Sequence, residues 1–333
     1  MFQPATLADL PAFHCGHAQD LQAGTGCTVF VAPEGATCGV DVRGGGPATR
    51  ETDLLRPENM IESVHAVVLS GGSAFGLAAS TGVMDELAAR GIGFPVGDAR
   101  VPIVVGACLF DLLVGKNAHP DAESGQAACA AAFDKTTTTP LAEGNVGAGC
   151  GASVGKLLGP DRAMKSGLGI YGLRMGNLVV CAVVAVNALG NVCNQHGTWI
   201  AGSRGTDGNI MDPLAAFTLM AEQGAAETQA NRQEGPCANT TIGIVLTNAK
   251  ITKAQATKVS STVHDAYARA IKPVHTSNDG DTVFTFASGE IPTSPDIVAV
   301  LGTEAMQGAI VRAVQQAEAA YGLPAANDLT STH

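Results

Sequence analysis

The sequence has 333 residues, of which 46% are apolar and 15% charged, values typical of a compact globular protein and not of a disordered chain. The net charge of −11 argues against a nucleic-acid-binding protein, because binding to phosphates needs a basic face. The first residues show no basic segment followed by an apolar one, and no run approaches the roughly 18 apolar residues of a membrane-spanning helix. We therefore expect a cytoplasmic protein without a secretion signal or a membrane span.

Cysteine usage agrees with a reducing compartment. The chain has nine cysteines, an odd number, and no Cys-x-x-Cys pair. Such residues usually serve as small apolar side chains in a cytoplasmic protein. The stretch His14-Cys15-Gly16-His17 lacks a second ligand pair that would complete a tetrahedral site, so we expect no metal there.

Short strands and helices alternate along the chain. Residues 28–32 and 38–42 predict two strands paired around a Pro-Glu-Gly turn, and residues 65–69 predict a strand that leads through Ser-Gly-Gly-Ser into a helix over 74–89. Further predicted helices span residues 121–133, 213–223, 252–271 and 304–321, and further predicted strands span 178–186, 242–246 and 282–287. Without regular βαβ repeats, this order favours a layered α+β fold, with sheets inside and helices outside, in a single domain over residues 1–333.

A glycine-rich stretch, GNVGAGCGASVGKLLG, resembles a phosphate-binding loop only superficially. The Walker pattern fails because Cys150 stands where a glycine is needed and Leu157 follows Lys156 where Ser or Thr is needed. A loose dinucleotide-binding pattern is present, but no strand precedes it. Nucleotide binding is thus a minor alternative. The stretch brings Lys156 to the end of a small-residue segment that can approach another element closely.

Two further motifs hold polar residues that could serve a site. In HTSNDGDTVF, Asp279 and Asp281 would point to the same side of an extended segment, where two carboxylates can hold an ammonium group. The alternative is a simple Asp-Gly turn. Asn187 ends the apolar strand and is either a turn former or a side-chain amide that donates to an oxyanion.

The stretch GPCANTTIGIVLTNAK places Thr240 at the entry of a buried strand. It follows the polar, turn-rich residues 224–235, which are the best candidate for an exposed processing loop. If the bond between Asn239 and Thr240 were cut, Thr240 would gain a free α-amine with a reference pKa of about 8, able to act as base for its own hydroxyl. The alternative is an ordinary loop that feeds a strand.

Together, five blocks resemble the L-aminopeptidase/D-esterase family of autoprocessing peptidases: ANTTIGIVLTNAK, HTSNDGDTVF, GAGCGASVGK, SGGSAFGL and VDVRGGGPATRETDLLRPENM. That family includes β-peptidyl aminopeptidases and the hydrolases of 6-aminohexanoate (nylon) oligomers. The resemblance extends from about residue 16 to residue 308 and looks closest to the nylon-oligomer hydrolases.

The resemblance implies a four-layer αββα sandwich that is N-terminal-nucleophile-hydrolase-like, a fold shared with the ornithine acetyltransferases. It implies self-cleavage between Asn239 and Thr240 into residues 1–239 and 240–333, which stay associated, usually as a homo-oligomer such as a tetramer of processed pairs. The substrate would be a peptide or small-molecule amide, with no metal or organic cofactor. The implied site residues are the nucleophile Thr240 with Lys156, Asn187, Asp279 and Asp281.

One departure and two alternatives accompany this resemblance. Phe110 occupies a position where the nylon-oligomer hydrolase has a tyrosine, which puts that particular substrate in question but not the reaction class. An acyltransferase of the N-acetylornithine–glutamate acetyltransferase type would share the processed threonine and the fold. A non-catalytic scaffold would keep the fold without processing.

Overall fold

The fold is known from a computed structural model, which describes residues 2–134, 141–226 and 239–330. The strands are β1 Gln3–Ala5, β2 His14–Asp20, β3 Thr25–Val42, β4 Ala48–Arg50, β5 Val64–Ser70, β6 Phe94–Val96, β7 Ala99–Val101, β8 Val104–Cys108, β9 Ser153–Val154, β10 Met164–Lys165, β11 Leu168–Met175, β12 Leu178–Asn187, β13 Asn191–Cys193, β14 Trp199–Ala201, β15 Thr240–Lys250, β16 Ile271–Lys272 and β17 Thr282–Pro292. The α-helices are α1 Ala79–Ala89, α2 Ala122–Ala132, α3 Pro213–Ala226, α4 Lys253–Ala270, α5 Pro295–Gln315 and α6 Ala326–Thr330.

The long strand β3 belongs to two sheets. Its residues 25–31 pair with β2 and β5, whereas its residues 37–42 pair with β17, and the register to β5 shifts between Val31 and Ala36. The hydrogen-bonded order is β1-β11-β12-β15-β17-β3-β5-β8-β4, with β2 also on β3. The predicted hairpin of residues 28–32 and 38–42 is therefore wrong. Both segments lie on one continuous strand and have different neighbours, so the intervening Pro-Glu-Gly is not a reversal.

Alternating side chains in these strands bury both faces of each sheet. On β12, Val180, Ala182 and Val184 pack against α4 and α5. The intervening residues of the strand, such as Cys181 and Val183, pack against the other sheet. The period of two makes this division inevitable once the strand is central, and each such buried side chain contributes about 1.5–3 kcal/mol relative to exposure.

A third core lies between the other sheet and the helices α1 and α2, where Val29 and Val68 meet Val83 and Leu87. Three cores separate four layers: a helix pair, a sheet, a second sheet and a second helix pair. The expected αββα sandwich is confirmed.

Local signals set the helix boundaries. Thr252 caps α4 through a reciprocal pair of hydrogen bonds with Gln255, so the helix predicted over 252–271 is confirmed closely. The helix predicted over 304–321 is displaced: α5 begins at Pro295, after the capping residue Ser294, and ends at Gln315. Helix α5 has the length and hydropathy of a membrane-spanning helix, but 61% of its most apolar window is buried in the protein, as in a core helix.

Strand pairing brings the predicted site elements together. Antiparallel pairing places Asn187, the last residue of β12, opposite Thr240, the first residue of β15. Strand β17 runs parallel to β15 with Thr282 beside Ile242, so the residues just before β17 lie next to the start of β15. The ends of three central strands therefore converge at one edge of the sheet.

Candidate active site

Thr240 is a buried residue at the start of β15, with 4% of its surface exposed. Its hydroxyl donates a hydrogen bond to the carbonyl oxygen of Asn239, the residue before it. Gly280 lies directly against the hydroxyl, since a Cβ atom on this glycine would sit 2.8 Å from Thr240 Oγ1. Only glycine lets the backbone approach the hydroxyl this closely.

Asn187 and Lys156 meet in the structure. The Lys156 Nζ atom lies 2.6 Å from Asn187 Oδ1 and 3.2 Å from the Asn187 carbonyl oxygen. The Asn187 side chain also accepts from Ser153 N at 3.1 Å and donates through Nδ2 to the carbonyl of Phe110 at 2.8 Å. These contacts fix the amide in one orientation beside Thr240, which is not the conformation of a free turn former.

The glycine-rich segment delivers Lys156 by a close backbone contact. Gly155 has a φ of 73°, and a Cβ atom there would lie 2.0 Å from the carbonyl carbon of Gly202. The next residue is held by a hydrogen bond from Lys156 N to the Leu189 carbonyl at 2.9 Å. Small residues are therefore needed here for packing.

The two aspartates are buried next to Thr240. Asp279 is 2% exposed and Asp281 is 1% exposed, so they do not form a solvated Asp-Gly turn. Asp281 Oδ1 accepts from Thr241 N at 2.7 Å, and Asp279 Oδ2 accepts from Thr276 N at 2.6 Å. Both residues directly precede β17 and lie outside its ladder. Backbone N–H groups, rather than strand alternation, set their orientation.

The segment after β3 closes the other side of the aspartates. Arg43 N donates to the Asp281 carbonyl at 2.7 Å, and Gly46 N donates to the Asp279 carbonyl at 2.8 Å. Two of the sequence blocks, those around residues 41–60 and 275–284, thus meet at the site although more than 200 residues separate them. Each block supports the geometry of the other.

Burial shifts the pKa values of three charged groups of the site toward neutral pH. Burial lowers the pKa of Lys156 to about 7, against the opposing effect of the carboxylates of Asp279 and Asp111. Burial also raises the pKa of Asp279, and the neighbouring charge of Asp281 adds to that rise. The pKa of Asp111 is raised by burial to about 6, although the Gly72 N–H donates to its Oδ1 at 2.6 Å. With these pKa values, Lys156 and Asp111 can exchange protons at physiological pH.

A cavity of about 470 Å³ extends from Lys156 and Ser153. Its other lining residues are mostly apolar, with two aspartates among them: Phe110, Asp111, Leu113, Val114, Gly115, Pro160, Asp161, Ala163, Tyr321, Gly322 and Leu323. The volume suits a small organic molecule or a short peptide segment.

Three residues of the site were not identified from the sequence. Ser153 holds Asn187, Asp111 faces the cavity, and His275 contacts Asp281 through Nδ1 at 2.8 Å. Their positions offered weak signals: Asp111 follows Phe110, His275 opens the aspartate motif, and Ser153 lies just before Lys156. None of these residue types indicates a site by itself, because the role of each depends on the residues that lie next to it in the structure.

Two expectations concern other parts of the chain. Within residues 2–134, 141–226 and 239–330, no group of three or more His, Cys, Asp or Glu side chains is arranged to hold a metal. His17 instead contacts the Thr28 hydroxyl through Nδ1 at 2.9 Å. Of the expected processing loop, residues 224–235, the part from 227 to 235 lies outside the described residues.

Comparison with known proteins agrees with this geometry. Residues 5–330 match peptidase family S58. An uncharacterized aminopeptidase of Mycobacterium bovis is 36% identical, covering 97% of each chain. The 6-aminohexanoate-oligomer endohydrolase of Paenarthrobacter ureafaciens is 32% identical, covering 86% of this chain and 76% of the other.

A solved structure shows the fold independently. The L-aminopeptidase D-Ala-esterase/amidase from Ochrobactrum anthropi, described as a variant of the Ntn hydrolase fold, has a TM-score of 0.62 at 16% identity, over 92% of this chain and 84% of the other. The four layers described above are those of an Ntn-hydrolase-type fold, and the sequence relatives are enzymes that cut amide bonds. This chain belongs to peptidase family S58 and is a hydrolase acting on amide bonds.

Proposed function

We propose that the chain hydrolyses its own Asn239–Thr240 bond and that Thr240 then acts as the N-terminal nucleophile of an amidohydrolase. The observation that carries the proposal is the hydrogen bond from the Thr240 hydroxyl to the Asn239 carbonyl oxygen. It places the hydroxyl oxygen beside the carbonyl carbon that it must attack. Cleavage consumes one water and leaves a carboxylate on residues 1–239 and a free α-amine on residues 240–333.

The new amine is the base in this proposal. Lys156 contacts Asn187, which lies opposite Thr240, so an ammonium at Lys156 disfavours a second positive charge on the amine. The amine then stays neutral and can accept the proton of its own hydroxyl. Asp279 balances the positive charge of Lys156, and Asp281 holds the backbone next to the nucleophile.

The catalytic cycle proposed for a substrate follows the same chemistry. Thr240 Oγ1 attacks the amide carbon while its proton passes to the α-amine. The C–N bond then breaks, the leaving amine takes that proton, and the acyl group remains as an ester on Thr240. Water hydrolyses the ester to a carboxylic acid. Asn187 is proposed to donate to the oxyanion of the tetrahedral intermediate, a role typically worth about 3–4 kcal/mol.

The cavity supports a substrate that combines an aliphatic chain with an amine. Apolar side chains such as Leu113 and Val114 line it, and the carboxylates of Asp111 and Asp161 can attract an ammonium. One relative is named a 6-aminohexanoate-oligomer endohydrolase. We therefore propose peptides, amino amides or oligomers of 6-aminohexanoate as the substrate class.

Amine release from amino-acid amides and from 6-aminohexanoate oligomers tests the proposal. Purified protein should hydrolyse at least one of them, Thr240→Ser should retain part of the rate, and Thr240→Ala should lose at least about 1000-fold because no nucleophile remains. A Thr240→Ala protein with the wild-type rate would contradict the proposal.

Added amines distinguish hydrolysis from acyl transfer. Hydrolysis predicts that the carboxylic acid remains the main product when an amino-acid acceptor is present. A product in which the acceptor is acylated would instead identify an acyltransferase.

A further inference from the structure

A histidine at the site holds the second oxygen of Asp281. His275 Nδ1 lies 2.8 Å from Asp281 Oδ2, and the backbone N of His275 donates to the same oxygen at 3.2 Å. The other oxygen, Oδ1, accepts from Thr241 N at 2.7 Å. The carboxylate therefore connects His275 to the first peptide group after the nucleophile.

The backbone of His275 is held in a less common conformation. Its φ of 56° lies in the left-handed region, which His and Asn enter more readily than most residues but which still costs free energy. In this conformation the main-chain N–H and the ring of the same residue both reach Asp281 Oδ2. Strain of this kind concentrates at functional sites, where the surrounding structure maintains it.

Among the described residues, the His275 ring makes its hydrogen bond through Nδ1. The ring packs edge-on against His264 at 4.9 Å between centroids and lies parallel to Tyr267 at 6.1 Å, and its Nε2 has no hydrogen-bond partner in that part of the chain. Nδ1 must carry a hydrogen to donate to a carboxylate, so the geometry assigns that tautomer.

The neighbouring histidine does not compete for Asp281. His264 Nε2 lies 3.0 Å from the Asp41 carbonyl oxygen and 3.5 Å from the Asp41 carboxylate, so its contacts are with Asp41. Burial lowers the pKa of His264 to about 4, so it is neutral near pH 7. Of the two rings, it is His275 that contacts the site carboxylate.

We infer that His275 is a positioning residue: its Nδ1–H holds the Asp281 carboxylate against the Thr241 amide and thereby fixes Thr240 at the start of β15. This inference rests on the proposed role of Thr240. Without the donor, Asp281 can rotate away from Thr241 N and the nucleophile loses its alignment. Misplacement by about 1 Å can cost about 100-fold in rate without a matching loss of binding.

Two substitutions separate the hydrogen bond from the backbone conformation. Both Asn and Gly adopt a positive φ readily, so neither adds strain at position 275. His275→Asn offers a side-chain N–H in place of Nδ1–H, whereas His275→Gly offers none. His65→Ala is the matched control, because His65 is a buried histidine whose Nδ1 accepts from Ile103 N at 3.1 Å, away from the site.

The experiment measures the rate of self-cleavage, kcat and KM for an amide substrate, and thermal unfolding for all four proteins. We expect His275→Gly to slow cleavage and to lower kcat by about 10- to 100-fold with KM within about twofold. His275→Asn should stay within about threefold of wild type, and His65→Ala should keep the wild-type kcat per folded molecule.

Two results would overturn the inference while leaving the proposed function intact. They are a His275→Gly protein with wild-type kcat, or a His275→Asn protein as slow as His275→Gly in a wild type that cleaves and hydrolyses. A wild-type protein that neither cleaves itself nor hydrolyses any amide overturns the role of Thr240 first, and the role of His275 with it.

Discussion

Two lysines, Lys156 in the glycine-rich stretch and Lys165 just after it, have similarly lowered pKa values but lie in different surroundings. Burial lowers the pKa of both Lys156 and Lys165 to about 7. Lys156 contacts the side chain of Asn187 and lines the cavity. Lys165 is fully buried, and its Nζ donates to the backbone carbonyls of Gly149 at 3.3 Å, Ala152 at 3.0 Å and Ser166.

The two lysines show that a shifted pKa does not by itself identify a catalytic group. Structural ions also have shifted pKa values, and the contacts decide between the two cases. Lys165 joins the carbonyls of Gly149 and Ala152, in the glycine-rich stretch, to that of Ser166, and so holds the backbone that presents Lys156. Lys156 contacts a side-chain amide, is attracted by the carboxylates of Asp279 and Asp111, and lines the cavity, and these are the surroundings that a reacting group needs.

Replacement of Lys156 should give the largest effect. Lys156→Met should lower kcat for amide hydrolysis by about 100- to 1000-fold, because the site loses its cation next to Asn187 and Thr240, the proposed nucleophile. The free energy of unfolding should change little or rise, since a buried charge is removed. Lys116→Met, at an exposed lysine, is the control and should keep the wild-type kcat. Unchanged kcat in Lys156→Met would place Lys156 in the same structural class as Lys165.

Replacement of Lys165 should show the opposite pattern. Lys165→Met removes the Nζ donor from three buried carbonyls, of which those of Gly149 and Ala152 keep a backbone donor, so we expect a loss of about 1–3 kcal/mol in the free energy of unfolding. Urea unfolding measures this loss. The kcat of the molecules that remain folded should stay within a few-fold of wild type. A stable variant with abolished hydrolysis would show that Lys165 takes part in the chemistry.

Stability should rise with pH above neutrality because of both lysines. Each has an ordinary pKa of 10.5 and a folded value of about 7, so the unfolded chain binds more protons between these values. The free energy of unfolding therefore increases with pH in this window, by at most about 1.4 kcal/mol per pH unit for each lysine. Urea unfolding at pH 7.0 and about 7.8, below the ordinary thiol pKa of about 8.5, measures the slope. Lys165→Met should show a smaller slope than Lys116→Met, and equal slopes would contradict the account.

The smallest effect concerns the cavity next to Lys156. Phe110 lines it, and its carbonyl accepts from Asn187, so a change of the ring leaves that hydrogen bond in place. Phe110→Tyr adds a hydroxyl, which should raise kcat/KM for 6-aminohexanoate oligomers relative to amino-acid amides by about three- to tenfold if it bonds the substrate. An unchanged ratio would show that the hydroxyl does not reach the substrate.

The sequence predicted the buried strands because a continuous apolar run is a local signal. Residues 178–186 and 242–246 could only be buried strands, and the structure places them inside β12 and β15. The Pro-Glu-Gly turn misled because β3 changes sheets there without reversing, and β17, the strand that pairs with its residues 37–42, lies about 240 residues further along the chain.

The candidate site was predicted through the family resemblance, residue by residue. No spacing rule brings Lys156, Asn187 and Thr240 together, since the pairing of β12 with β15 does so. Lys165 and His275 escaped notice because their importance lies in contacts with backbone carbonyls and with a carboxylate. Such contacts leave no pattern in a single sequence.

The most direct test of the central claim is the intact mass of the purified chain, together with the amino-terminal sequence of any smaller fragment. We expect two species, residues 1–239 and 240–333, with the second beginning Thr-Thr-Ile. We expect the Thr240→Ala chain to stay whole. A single species of 333 residues after long incubation would contradict self-cleavage and remove the α-amine base from the mechanism.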